Sequence, residues 1–108
     1  MADFVQVTTT FPDERTARQV ASRAVQERLA ACAQVQGPIS SIYRWKGEME
    51  QEEEWYCHFK TMFARLPALE ARLRELHPYE VPEIIALPIL QADPKYLEWI
   101  QEELETDI

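Results

Sequence analysis

The sequence predicts a two-layer α+β fold in which helices cover one face of a four-stranded antiparallel sheet. Three observations carry that expectation. The spacing of apolar residues changes along the chain in the order strand, helix, strand, strand, helix, strand. The two middle strands are separated only by a tight turn, and proline or aspartate punctuates each helical stretch. At 108 residues with only two glycines, the chain is long enough to bury a core of its own, and residues 1–108 read as one domain.

Residues 4–10, FVQVTTT, are rich in β-branched side chains and open with Phe4, Val5 and Val7, as a first strand should. Asp13 stands where an N-cap belongs, Glu14 suits the positive helix end, and Ala17, Val20, Ala21, Ala24, Val25 and Leu29 recur at threes and fours. Residues 31–45 then read as a long strand bent at Gly37-Pro38. Lys46-Gly47-Glu48 supplies a turn, and residues 55–60 return as the partner strand of a hairpin with an acidic tip. Its arms outrun the usual strand of about five to six residues. They are therefore expected to leave backbone donors and acceptors for another chain.

Leu66, Leu69, Leu73 and Leu76 mark a second helix with Pro67 in its first turn, ended at Leu76 because Pro78 disfavours helical geometry at His77. Residues 81–90 are the expected fourth strand, with Pro82 and Pro88 confined to its ends or to a sheet edge. Asp93-Pro94 opens a last helix carrying Leu97, Ile100 and Leu104, and the tail after Leu104 is expected to fray. The order β-α-β-β-α-β plus a C-terminal helix is the split βαβ, or ferredoxin-like, arrangement. Its second sheet face, expected to be apolar and aromatic, argues for burial by self-association.

Nineteen acidic against eleven basic residues give a formal charge of -8, which repels phosphate backbones and anionic lipid. Nucleic acid and membrane are thereby excluded as partners. MADFVQVTTT has no signal-peptide pattern and no run approaches a membrane span, so a cytoplasmic location is expected. Cys32 and Cys57 form no CxxC pair and read as reduced thiols, Cys32 as a small buried one. No phosphate-binding glycine loop, GxSxG elbow or HExxH helix is present, and no enzyme activity is expected.

Residues 77–83, HPYEVPE, concentrate the polar chemistry. His77 is the metal candidate, since imidazole binds copper or zinc at neutral pH. A cap on the carbonyls ending the second helix is its structural alternative. Cys57 and His58 are neighbours on a strand and point to opposite faces, so they cannot easily grip one ion. Glu48, Glu50, Glu52 and Glu53 read as a solvated hairpin tip able to attract hard divalent ions weakly.

The words ERLAAC at 27–32, SIYRWKGE at 41–48, Glu54, KT at 60–61, LHPYEVPEIIALPI at 76–89 and YLEWI at 96–100 occur in one order. Together they resemble the CutA family of divalent-cation tolerance proteins from Phe4 to Leu104. The resemblance implies a ferredoxin-like subunit in a tight homotrimer, with the long hairpins linking neighbouring sheets. It also implies tolerance of copper and other divalent metals. Copper-binding relatives place a second histidine just before the first and a cysteine at the end of the first strand; here those positions are Leu76 and Thr9. The resemblance further puts Glu54 in a cleft between subunits with Trp45, Lys60, Tyr79 and Glu83. The expected function is binding of divalent cations, with Cu(II) or another such ion held weakly, in metal tolerance. The alternative is a module like the PII signalling proteins, with a small molecule in the intersubunit cleft.

Overall fold

Val5, Val7, Thr9 and Phe11 alternate along β1 (Phe4–Phe11), and their side chains all fall on one face of the sheet. The computed structural model describes residues 3–105. After β1 come α1 (Glu14–Gln26), β2 (Cys32–Trp45), β3 (Glu48–Met62), a single 3-10 turn (Phe63–Arg65), α2 (Leu66–Leu76), β4 (Ile84–Pro88) and α3 (Pro94–Glu105). The sheet order is β2-β3-β1-β4 with antiparallel neighbours throughout, which is the ferredoxin-like topology.

Cross-strand pairs Val5–Thr61, Val7–Phe59, Thr9–Cys57 and Phe11–Trp55 set the helix-facing layer. Against it pack Ala17, Val20, Ala21 and Ala24 of α1 and Leu69 and Leu73 of α2. The alanines let α1 approach the strands closely, and the leucines fill the remaining depth. Asp13 caps α1 by accepting from the Thr16 amide at 2.8 Å. At the far end Arg28, with φ 58, takes the left-handed position that glycine usually fills, and its guanidinium donates to the Glu103 carbonyl at 2.7 Å.

The hairpin is longer than the sequence suggested. Pairing runs from Cys32–Lys60 to Trp45–Glu48, so the glutamates of residues 48–54 belong to a strand rather than to a loose tip. Lys46 (φ 51) and Gly47 (φ 84) alone make the turn, both left-handed as a two-residue connection requires. Each arm satisfies the inward-pointing half of the other's backbone groups, which outweighs the weak strand preference of glutamate, and the outward half of β2 remains at a sheet edge. The register breaks between Gln36 and Ile39, where Gly37 lies against the Trp55 ring. β4 is shorter than expected, because β1 offers it partners only from Val5 to Thr9.

The second sheet face is as expected only in part: Ile85 and Leu87 of β4 stand exposed on it, paired with Thr8 and Gln6. The apolar members of β3, Trp55, Cys57 and Phe59, take the helix side, and the alternate residues Tyr56, His58 and Lys60 are left on the other. That face is polar at its centre: Thr8 Oγ1 lies 3.0 Å from His58 Nδ1, His58 Nε2 lies 3.1 Å from Gln36 Oε1, and Lys60 donates to Gln34 at 2.5 Å. α3 covers one end of it, where Ile100 and Leu104 pack with Ala31, Phe4, Met62 and Leu97. Of the tail after Leu104 that was expected to fray, Glu105 still belongs to α3, and residues 106–108 lie outside the described residues.

Candidate functional site

α2 ends at Leu76, and His77 follows in an extended conformation that Pro78 favours. The His77 ring turns inward and stacks on Phe11, with centroids 4.6 Å apart and planes 16° from parallel. Nε2 lies 2.8 Å from the Thr10 carbonyl, which can only accept, so this nitrogen carries the hydrogen; Thr9 Oγ1 shares it at 3.1 Å. The other nitrogen, Nδ1, accepts the Tyr79 amide at 3.2 Å. Both ring nitrogens are thus committed to backbone, and burial holds the imidazole below the ordinary histidine range. The alternative of a cap on the α2 carbonyls is replaced by a clamp that fastens the corner after α2 to the end of β1.

Beside that corner the hairpin curls over a cavity of about 740 Å³. Glu50, Glu52 and Glu54 alternate on β3 and therefore face it together, opposite Tyr43, Ser41 and Ile39 of β2. Trp45 closes the hairpin end, and Tyr79, Glu80 and Glu83 close the other side. Glu54 is only 8% exposed and accepts the Tyr79 hydroxyl at 2.7 Å. Burial, then that hydrogen bond, pushes the Tyr79 phenol well above its usual value. Burial, then the Glu54 charge, raises Glu83, while burial and the charges of Glu52 and Glu50 raise Tyr43. Outside the cavity Lys46 Nζ stands 5.8 Å from the Trp45 ring centroid.

Four of the five residues expected in a cleft, Trp45, Glu54, Tyr79 and Glu83, line this one cavity, and it is formed within a single chain. Lys60 is not among them. It lies on the second sheet face against Gln34, because an even number of positions separates it from Glu54 along β3 but several turns of the pleat carry it toward the α3 end. Tyr43, Glu50, Glu52 and Glu80 were not expected to share the site with Glu54. The signal available for two of them was the every-second-residue placement of glutamate in EMEQEEE.

Residues 5–103 match the model of the family described as CutA1 divalent ion tolerance protein. The chain belongs to that family. It is 45% identical over 93 residues to the divalent-cation tolerance protein CutA of Thermus thermophilus, covering 86% of this chain and 90% of that protein. Mouse protein CutA is 43% identical over 97 residues, which cover 90% of this chain but 55% of the mouse protein, so the chain spans about half the length of that relative. The crystal structure of CutA from Xylella fastidiosa superposes with a TM-score of 0.93 at 38% identity, covering 96% of this chain and 100% of that one.

A CutA1 chain raises the question of a divalent metal, and the surroundings of His77 do not fit one. Nδ1 is spent on the Tyr79 amide, Nε2 holds a hydrogen, and the adjoining Thr9 and Leu76 supply no soft donor. Among the described residues no three histidine, cysteine, aspartate or glutamate side chains gather as an ion would need. Burial pushes the Cys57 thiol up to about 12, far from the thiolate a metal prefers. Cys32 is half-buried rather than buried, with Sγ 3.5 Å from the Tyr96 hydroxyl, because its position in β2 pairs it with Lys60 on the second sheet face.

Proposed function

We propose that this CutA1 chain serves divalent-cation tolerance as a cytoplasmic homotrimer that binds cations and catalyses no reaction. The observation that carries the reading is the one-sided row of Glu50, Glu52 and Glu54 on a hairpin whose cavity, among the described residues, has no basic side chain in its lining. Such oxygen donors, unconverged, hold divalent ions weakly and release them readily. Cu(II) leads the first-row divalent series at sites of this kind, so it must be compared with Zn(II) and Mg(II) rather than tested alone. Calorimetric titration should give saturable Cu(II) binding that weakens when Glu50 and Glu52 become glutamine and persists in His77→Asn. Loss in His77→Asn would move the ion to the imidazole, and unsaturable binding would end the direct-contact reading.

The homotrimer is supported by the two free sheet edges, β2 and β4, and by Ile85 and Leu87, which pair with Thr8 and Gln6 and stand exposed on the second face. Light scattering should give the mass of three 12.7 kDa chains, and a monomer at micromolar concentration would overturn it.

A second reading, a PII-like module with a small molecule in the cleft, is favoured by the cavity itself. Its 740 Å³ falls in the range of about 300–1,000 Å³ common to small-molecule sites, and its walls combine aromatic rings with the carboxylates of Glu50, Glu52, Glu54, Glu80 and Glu83.

A further inference from the structure

We propose that His58 makes the self-association of this chain pH-sensitive: copies that bury the second sheet face hold together while its imidazole is neutral and part more readily once it is protonated. The inference rests on the homotrimer reading above and concerns the regulation of that interface. His58 lies near the middle of the face, on β3, with β1 on one side and β2 on the other. Ile85 and Leu87 stand exposed beyond β1, and α3 covers one end. The hydrogen bonds of the ring suit its neutral form. Gln36 Oε1 can only accept, so Nε2 carries the hydrogen between them at 3.1 Å, and Nδ1 accepts the Thr8 hydroxyl at 3.0 Å. Protonation of Nδ1 turns Thr8 from donor to acceptor and keeps both bonds. Only the charge on the face changes.

Among the described residues around His58, that charge meets no anion. On β3, Lys60 stands two positions along and repels it, and Tyr56 stacks on the ring with centroids 5.2 Å apart. β2 presents Gln34 and Gln36, with Cys32 bonded to Tyr96 of α3 beyond them. β1 presents Gln6 and Thr8, and β4 presents Ile85 and Leu87. The first carboxylate met along β3 on this side is Glu54, four positions and therefore about 13 Å away, where it accepts the Tyr79 hydroxyl; Glu83 lines the same cavity. Glu54 is beyond a Debye length at physiological salt. A second copy laid on this face brings the same side chains, so its lysine and histidine add to the repulsion. Burial, then Lys60, already holds the imidazole below the ordinary histidine range, and contact with another copy removes more water. A neutral ring enters the interface at little cost, and a charged one does not. As pH falls below about 6.5, where the ring of a free histidine charges, the assembly therefore loosens.

The test is subunit exchange. Unlabelled and isotope-labelled protein are mixed at about pH 7 and about pH 5.5, a window in which histidine is the side chain that ordinarily titrates, and mixed trimers are followed by native mass spectrometry. Exchange should be about tenfold or more faster at the lower pH. The chain has two histidines, and His58→Gln, which can still bond to Thr8 and Gln36, should remove the acceleration. Titration of the His58 ring by proton NMR in the native protein should follow the same curve, and it needs no variant. A ring that stays neutral through the window would overturn the proposal. Equal rates at both pH values, with the trimer mass intact, would overturn it and leave the homotrimer standing, and so would an acceleration that survives in His58→Gln. Slower exchange in acid would mean that a carboxylate of a neighbouring hairpin answers the ring, which also overturns it. A monomer at about pH 7 would remove the homotrimer and the proposal together.

Discussion

Replacing His77 with alanine is expected to lower folding stability by about 2–4 kcal/mol, from a void beside Phe11 together with unpaired backbone groups. The groups left behind are the Thr10 carbonyl and the Tyr79 amide, both held by the ring in the native chain. Urea denaturation at pH 7 and one fixed protein concentration measures the loss; a change under about 0.5 kcal/mol, the size of a neutral surface substitution, would show that the clamp is not structural.

The same ring gives stability a pH dependence of definite sign. Burial holds folded His77 below its ordinary value, against smaller opposing pulls from the Thr10 carbonyl and Glu54. In the unfolded chain it takes up a proton near about 6.5. Between the lowered folded value and that point the unfolded state binds more protons, so the contribution is fully present above about pH 6.5 and is lost as pH falls through this window. His58 acts with the same sign, held low by burial and then by Lys60. The slope below pH 6.5 should therefore shrink, without vanishing, in His77→Ala. An unchanged slope would mean that the native ring titrates freely.

Gly37→Ala is expected to cost about 1–3 kcal/mol, the usual range for overpacking a filled site. A β-carbon there would lie 2.5 Å from Cδ2 and Cε3 of Trp55, atoms inside the indole rather than at its tip. Trp55 cannot swing away freely, because it pairs with Phe11 across the sheet and packs on the main core. Thermal melts combined with a Trp55→Leu background provide the check. The glycine substitution should be several-fold less damaging where the indole is absent. Equal cost in both backgrounds would place the clash elsewhere.

The helix-facing core was legible because each of its members obeys a local period. Ala17, Val20, Ala21 and Ala24 recur on a helical stripe, and Val5 and Val7 recur at every second position. The apolar and aromatic second face expected from the fold is met in part, because the pleat sends Tyr56, His58 and Lys60 to that side and Trp55, Cys57 and Phe59 to the other, while β4 adds Ile85 and Leu87 to it. Family resemblance placed Lys60 in a cleft between subunits; within one chain it lies against Gln34, and the register that carries it there has no local signature. The cleft glutamates fared in the opposite way. Their spacing is visible in EMEQEEE, but only the pairing of Tyr43 with Glu50 and Ser41 with Glu52 turns an acidic tip into a cavity wall.

By itself the sequence determined the order of elements, the helix stripes, the Asp13 cap, the Lys46-Gly47 turn and the stop at Pro78, since all of these depend on residues within a turn or two of one another. Tertiary structure alone decided what the polar residues do. His77 meets Thr9 across 68 positions of chain, and Tyr79 meets Glu54 across 25. A hydrogen bond of that kind exists only after strand register and the corner after α2 have brought its partners together. The same contacts commit the nitrogens of His77 to backbone and bury Glu54 beneath the Tyr79 hydroxyl, and no local pattern specifies either outcome.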